Sequence, residues 1–409
     1  MRYKHNFIQH FLIFALIIFS SGASQISNND LSLIAFFVFT LTYSVFIKAT
    51  LLSFKQFIFL IFSLIVIIFI YYFINSSVNI YTWIGYMIKI LLTFLIVKIN
   101  RNNFIKNFIT VCFFLTVISL VGYILQIFIP DILFQINNWN GLDVRNNSNS
   151  LLFNFTYLHP MRNSGCMWEP GAFAALLVIA LLFIDFFNNE KRTREKVIIS
   201  IGILTTISTN GYLLLALIYL FSFLNKSKGK MKILGFFLFF PVGFYTFYNA
   251  QIFSSKIGNQ LIGIEEEVDK AFQNPNYVVS VTRFSSFIVD FPTFLERPIL
   301  GYGVDIQTTN KKSMYKTYGE NVVRSSGLMT LLLSFGLFGS GVYLWLLYKN
   351  FLQMSKNKLI AFFSTLLILC IIFSNPLEFS PLILCLFFVK STYSNNFAEK
   401  TNKRTKTFV

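Results

Sequence analysis

Apolar residues run along this chain in blocks rather than in alternation. Twelve blocks stand out, at 7–19, 31–47, 57–74, 81–97, 108–129, 171–187, 197–207, 212–224, 233–248, 328–348, 359–373 and 381–389. A helix that crosses a hydrocarbon core needs about 20 apolar residues, within a range of roughly 17–25. The longer blocks therefore predict membrane-spanning helices. Those at 197–207 and 212–224 are short and split by Ser208-Thr209-Asn210-Gly211. A break at that depth is tolerated only where protein or a water-filled cavity satisfies the freed backbone groups. The pattern predicts an all-α chain, a polytopic membrane helix bundle of about 12 transmembrane helices, with the pair around Asn210 and the block at 381–389 its weakest members.

Between the blocks lie two long polar stretches, 130–169 and 251–327, and the chain ends in a basic tail, 390–409. Loops of that length inside a compact protein are usually functional or disordered. The whole reads as one membrane domain, 1–409, in which the second loop carries short helices at 261–272 and 281–296.

Composition agrees: 55% of residues are hydrophobic and 12% charged, where charged residues make up about a quarter of a soluble domain. The net charge of +17 is explained by placement. Lys and Arg gather in alternate connections: Arg2 and Lys4; Lys48 and Lys55; Lys98, Arg101 and Lys106; residues 191–196; 226–232; 349–358; and the tail. The short turns 22–30, 75–80, 208–210 and 374–380 hold none. Basic flanks stay on the cytoplasmic side, which puts both termini in the cytoplasm and both long loops outside. Scattered one loop at a time, these charges make no nucleic-acid-binding face. The first block, with Arg2, Lys4 and Ser21-Gly22-Ala23, also has the make-up of a signal peptide; an uncleaved first helix is the preferred reading. Cys112, Cys166, Cys370 and Cys385 show no C-x-x-C spacing, so neither a disulfide framework nor a metal site is expected, and no cofactor.

The chemistry concentrates at 159–174, H-P-M-R-N-S-G-C-M-W-E-P-G-A-F-A, where a polar loop turns into an apolar block. Arg162 and Glu169 stand at the water–hydrocarbon boundary, where charge is costly to hold and therefore informative. Pro170 suits the first position of a helix. The loop before it is rich in Asn and aromatic residues (Asn137, Asn138, Trp139, Asn140, Tyr157), which suit either a sugar or plain solvation. In the second loop, Arg283, Phe287 and Asp290 share one helix face. The acidic cluster Glu265, Glu266, Glu267, Asp269 reads as a solvated face. The turn Gly301-Tyr302-Gly303 lacks the third glycine of a dinucleotide fingerprint, and Arg324 stands at the mouth of the next block. Arg145, Arg162, Arg283, Arg297 and Arg324 thus face outward. Guanidinium forks pair bidentately with phosphate; Arg145 and Arg297 are read as ordinary loop charges, the other three as ligand-binding.

These residues carry a resemblance. The segment R-N-S-G-C-M-W-E-P-G at 162–171 resembles the R-N-S-G-x-F-W-E-P-G stretch of Wzy-type oligosaccharide repeat-unit polymerases, in the O-antigen polymerase and ligase superfamily. S-T-N-G-Y at 208–212 is similar to that family's break between two short helices, Arg283 with Asp290 and P-I-L-G-Y-G at 298–303 to its R-x6-D and P-x-x-G-x-G stretch, and Ser326-Gly327 with Gly336 and Gly339 to its penultimate conserved helix. The motifs run from about 160 to 340; the N-terminal blocks match in character alone.

The resemblance implies a metal-independent, multi-pass glycosyltransferase of the bacterial inner (plasma) membrane. Its substrate would be an undecaprenyl-diphosphate-linked oligosaccharide, its setting the lipid bilayer, and its partners a chain-length regulator and a flippase; the product would be O-antigen, capsule or exopolysaccharide. A lipid-diphosphate leaving group calls for pre-placed cations and the acceptor hydroxyl for a general base. Arg162, Glu169, Arg283 and Asp290 are the expected catalytic set, with Arg324, His159, Trp168, Asn210 and Tyr302 binding substrate. Asp290 is the first choice of base, ahead of Glu169, which suits orienting Arg162, and His159. The sister ligases, which join glycan to lipid A, have a His-Asn pair where this chain has Ser325-Ser326. A lipid-linked oligosaccharide flippase or other transporter would carry charge inside its spans, and here only Lys89 and Asp185 intrude.

Overall fold

The computed structural model describes residues 2–47, 54–75, 79–130, 147–149, 151–156, 160–188, 190–226, 279–280, 283–304, 322–323 and 326–389. Helices dominate: α1 (Arg2–Phe19), α2 (Asp30–Phe46), α3 (Phe54–Asn75), α4 (Ile80–Asn100), α5 (Phe104–Phe128), α6 (Pro170–Leu182), α7 (Thr193–Thr205), α8 (Thr209–Lys226), α9 (Arg283–Glu296), α10 (Gly327–Ser355), α11 (Lys358–Ser374) and the single turn α12 (Pro381–Leu384). Among the described residues the strands form two short pairs: β1 (Asn147–Asn149) antiparallel to β2 (Asn154–Thr156), and β3 (Val279–Ser280) parallel to β4 (Val322–Val323). The block at 233–248, the acidic helix at 261–272 and the tail at 390–409 lie outside the described residues.

The apolar blocks became helices that hide their own polar groups, and three of them carry a side-chain cap. Asn29, Asn79 and Asn357 accept the first free N–H groups of α2, α4 and α11. Within helices, hydroxyls turn back to the preceding turn, as Thr40 does to Phe36 O, Thr116 to Cys112 O and Ser364 to Ile360 O. Among the described residues, four helical stretches are long and apolar enough to cross a membrane, Lys55–Phe73, Ile80–Phe128, Pro170–Phe187 and Gly327–Ser355. The second of these contains both α4 and α5, which meet at a turn where Arg101 has φ 44°. Helices α1, α2, α8 and α11 add shorter apolar lengths.

Two helices mark the extremes of burial. Helix α3 turns Phe59, Phe62, Phe69 and Phe73 outward, each more than 60% exposed. Water does not tolerate so continuous an apolar face, whereas hydrocarbon does. Helix α6 is the reverse: every residue from Pro170 to Leu182 is buried, within contact of α5, α7, α8 and α11. The polar segment 160–169 therefore feeds the central helix of the bundle.

Helix α10 is broken at Gly336, which has φ 62°. The break leaves carbonyls and N–H groups without partners inside the helix, and the turn after α9 takes up four of them. Tyr302 N donates to Leu333 O (2.8 Å) and Gly303 N to Ser334 O (2.7 Å), while Leu337 N donates to Pro298 O (2.7 Å) and Phe338 N to Ile299 O (3.1 Å). Gly301, with φ 69°, and Gly336 face each other here. A Cβ on Gly301 would lie 2.5 Å from Leu333 O, and one on Gly336 would overlap Ile299 O. Only glycine suits both the positive φ and the close approach.

The block at 381–389 forms no spanning helix among the described residues. It makes α12 and a 3-10 turn, Cys385–Phe387, buried by the protein. Asn350 on α10 holds its open end, donating to Leu386 O (2.6 Å) and Val389 O (2.8 Å).

Candidate functional site

The segment 160–169 is fixed by side chains from its neighbours. On α5, Tyr123 donates to Met161 O (3.1 Å) and Gln126 to Pro160 O and Arg162 O. Asn163 is fully buried; its amide donates to Ser119 Oγ (3.2 Å) and Thr205 Oγ1 (2.9 Å), and its own Oδ1 accepts from Gly165 N (2.9 Å). Asn154 of β2 donates to Met167 O (3.0 Å). The R-N-S-G core is thus built for rigidity: Asn and Gly shape the backbone, and Arg162 projects from it. Cys166, in the same segment, is buried, and burial pushes its thiol up to about 12, so it is inert.

Arg162 is half-buried and its Nε donates to Thr206 O (3.1 Å), within electrostatic reach of Tyr212. Thr206 belongs to the break between α7 and α8, where Ile207 has φ 47°. The split expected at Ser208–Gly211 falls slightly earlier, at 206–208, with Thr209, Asn210 and Gly211 already inside α8, and one carbonyl of the break is satisfied by the arginine. Glu169 occupies the N-cap of α6 with Pro170 at the first turn, but its side chain makes no capping bond. It turns instead to the end of α11: the Asn375 amide fits its surroundings in the orientation that donates to Glu169 Oε1 (3.0 Å). Asn210, at the start of α8, donates to Ser374 Oγ. Glu169 and Asn210, 41 positions apart in sequence, thus converge on adjacent residues of the 374–380 turn.

Trp168 faces another way: its N donates to Ser21 O (3.0 Å) and its ring lies over Gly22 in the α1–α2 connection. Tyr302 is buried, and its hydroxyl donates toward Glu296 Oε2 (2.8 Å) and Thr293 O (3.2 Å) with Arg297 over the ring at 5.1 Å. Burial first, then the Glu296 contact, raises that hydroxyl well above its ordinary range. Both aromatics anchor connections to helices. Asp290 is 2% exposed on α9, two turns after Arg283, which opens that helix. The Arg283 side chain lies outside the described residues, as do His159, Arg145 and Arg324.

Beside this network lies a cavity of about 740 Å³ between α2, α4 and α10, closed by the 374–380 turn. Asp30, Tyr86, Lys89, Thr330, Ser334 and Glu378 line it. Glu378 is 3% exposed, and its Oε2 has no hydrogen-bond partner among the described residues. The carboxylate sits against the first residue of α10, where a Cβ on Gly327 would overlap Oε2. Burial raises this carboxyl from the ordinary range to about 8. Sequence reasoning passed over Glu378, although a signal was there: it is the lone acidic residue between Glu320 and Glu399. No protein-family model matches the chain, and a search of the curated proteins finds no match.

Proposed function

We propose that this protein is an oligosaccharide repeat-unit polymerase. It moves a growing glycan from undecaprenyl diphosphate onto the next lipid-linked unit at the outer face of a bacterial inner membrane, with about 12 spans and both termini in the cytoplasm. The observation that supports this reading is the joining of motifs far apart in sequence. Arg162 binds the α7–α8 break, Glu169 and Asn210 meet at Ser374-Asn375, and the 298–303 turn locks into the break of α10. In this reading Arg162, with Arg283 and Arg324 from the second loop, neutralises the departing lipid diphosphate, and Glu169 holds the Asn375 side of the site.

The test is the surface-glycan ladder of a deletion strain. A ladder collapsed to single repeats is expected, restored by the wild-type gene and by neither Arg162→Ala nor Arg283→Ala. Arg283→Lys fails as well if both arms of the fork are used, since a lysine offers a point charge. Free polymer on lipid carrier with none on lipid A would indicate the ligase instead. A transporter is the second reading, favoured by one observation, that Lys89 and Glu378 line a cavity between helices. Deletion would then trap lipid-linked units on the cytoplasmic leaflet.

A further inference from the structure

The cavity closed by the 374–380 turn is unlike the rest of the bundle. Its walls combine apolar side chains (Leu33, Ile34, Ile84) with hydroxyls and charged groups. Its volume, about 740 Å³, falls in the range of roughly 300–1,000 Å³ typical of small-ligand sites. Hydroxyls of Thr330, Ser334 and Tyr86 supply donors and acceptors, while the Tyr81 and Phe379 rings supply flat faces of the kind that stack on sugars. Glu378 lines this cavity, 3% exposed, and its Oε2, packed against Gly327, has no hydrogen-bond partner among the described residues. Such a group costs stability unless something else in the protein's working cycle binds it.

We propose that this cavity receives the acceptor sugar and that Glu378 accepts the proton of the attacking hydroxyl. The proposal rests on the polymerase reading and gives Glu378 the role of base for which the sequence had put Asp290 first. In the step, the acceptor O–H bond breaks and its proton passes to the Glu378 carboxylate. The freed oxygen pair forms the new C–O bond to the anomeric carbon of the donor glycan. The bond from that carbon to the diphosphate breaks, its electrons leave on the lipid diphosphate, and Glu378 afterwards returns its proton to water. Asp290 and Glu169 do not line this cavity, and Glu169 is engaged by Asn375.

Burial is what raises the Glu378 carboxyl, and the titratable groups that share its cavity come from α2 and α4. Tyr86 and Lys89 approach from α4 and Asp30 from the start of α2, and on α10 Tyr343 donates to Glu378 O (2.9 Å). Glu378 lies between α11 and α12, and a carboxyl held near pH 8 by burial is matched to removing a proton close to neutrality.

Membranes from the deletion strain carrying wild-type or variant protein are supplied with the lipid-linked units that the strain accumulates, and chain extension is followed from about pH 6 to about pH 9. Wild-type rate is expected to rise about tenfold per pH unit up to about pH 8 and then level. Glu378→Gln is expected to lose on the order of 10²-fold or more in rate, and Glu378→Asp to retain part of it with the inflection displaced. A wild-type rate that is flat with pH, or a Glu378→Gln variant that restores the full ladder, overturns the role given to Glu378. Should Glu378→Gln fail to accumulate in the membrane, the wild-type pH profile decides alone. A ladder that deletion leaves unchanged strikes the polymerase reading itself, and this proposal with it.

Discussion

Glu378 shows how one residue can set both chemistry and stability. Its carboxyl binds a proton near pH 8 when folded, against an ordinary 4.5. Below about pH 4.5 the proton is bound in both states and nothing is lost. Between there and about pH 8 the unfolded chain releases a proton that the folded chain keeps, so stability falls by roughly 1.4 kcal/mol per pH unit, then levels at higher pH. Glu378→Gln removes this dependence. Its thermal midpoint in detergent, relative to wild type, should therefore rise from about pH 5 to about pH 8 and stay constant beyond; a gap that does not change with pH would contradict the buried-carboxyl account. Sequence alone marked Arg162, Glu169 and Asn210, because charge and amide groups at the edge of apolar blocks announce a special environment. It held no sign that Trp168 and Tyr302 anchor connections, since an aromatic that pins a turn and one that stacks on a sugar look alike until their neighbours are known. Glu378 stayed hidden for a related reason: its burial is set by Gly327, Tyr86 and Tyr343, which lie far from it in sequence.

Helices were the most legible elements, because length and apolarity decide them locally. The break of α10 was not legible, since 328–348 is an unbroken apolar block and the φ of Gly336 is dictated by the 298–303 turn. The short course of 381–389 depends likewise on Asn350 reaching two of its carbonyls. The interlock makes a sharp prediction. Gly336→Ala and Gly301→Ala should each lower stability by more than about 2 kcal/mol, through an unfavourable φ and a backbone overlap. The double variant should cost less than the sum, because the first change already undoes the shared contact. Farther along α10, a Cβ at Gly341 would meet nothing within 4 Å. Gly341→Ala is thus the control, neutral or stabilising by up to about 1 kcal/mol. Thermal unfolding of the purified variants checks all of these.

At the scale of the molecule the bundle has two chemically different ends. Helices α4 and α10 both begin at the cavity that holds Asp30 and Glu378, and both run toward a second cavity, of about 540 Å³, lined by Lys55, Lys98 and Gln353. Near the basic end, Lys106 and Arg192 pair with Glu190, and Lys196 with Asp185. If charge sets orientation, a membrane-impermeant maleimide should label Gln25→Cys in intact spheroplasts and Asn102→Cys only after permeabilisation; the reverse pattern would invert the proposed topology. The central position of α6 emerged only from packing, since α3 is just as apolar and yet faces outward. The interlock at Gly336 also bears on biosynthesis. The 298–303 turn leaves the ribosome ahead of α10, so the nascent helix meets its bonding partner already made, and the translocon can release it into lipid without stranding bare peptide groups.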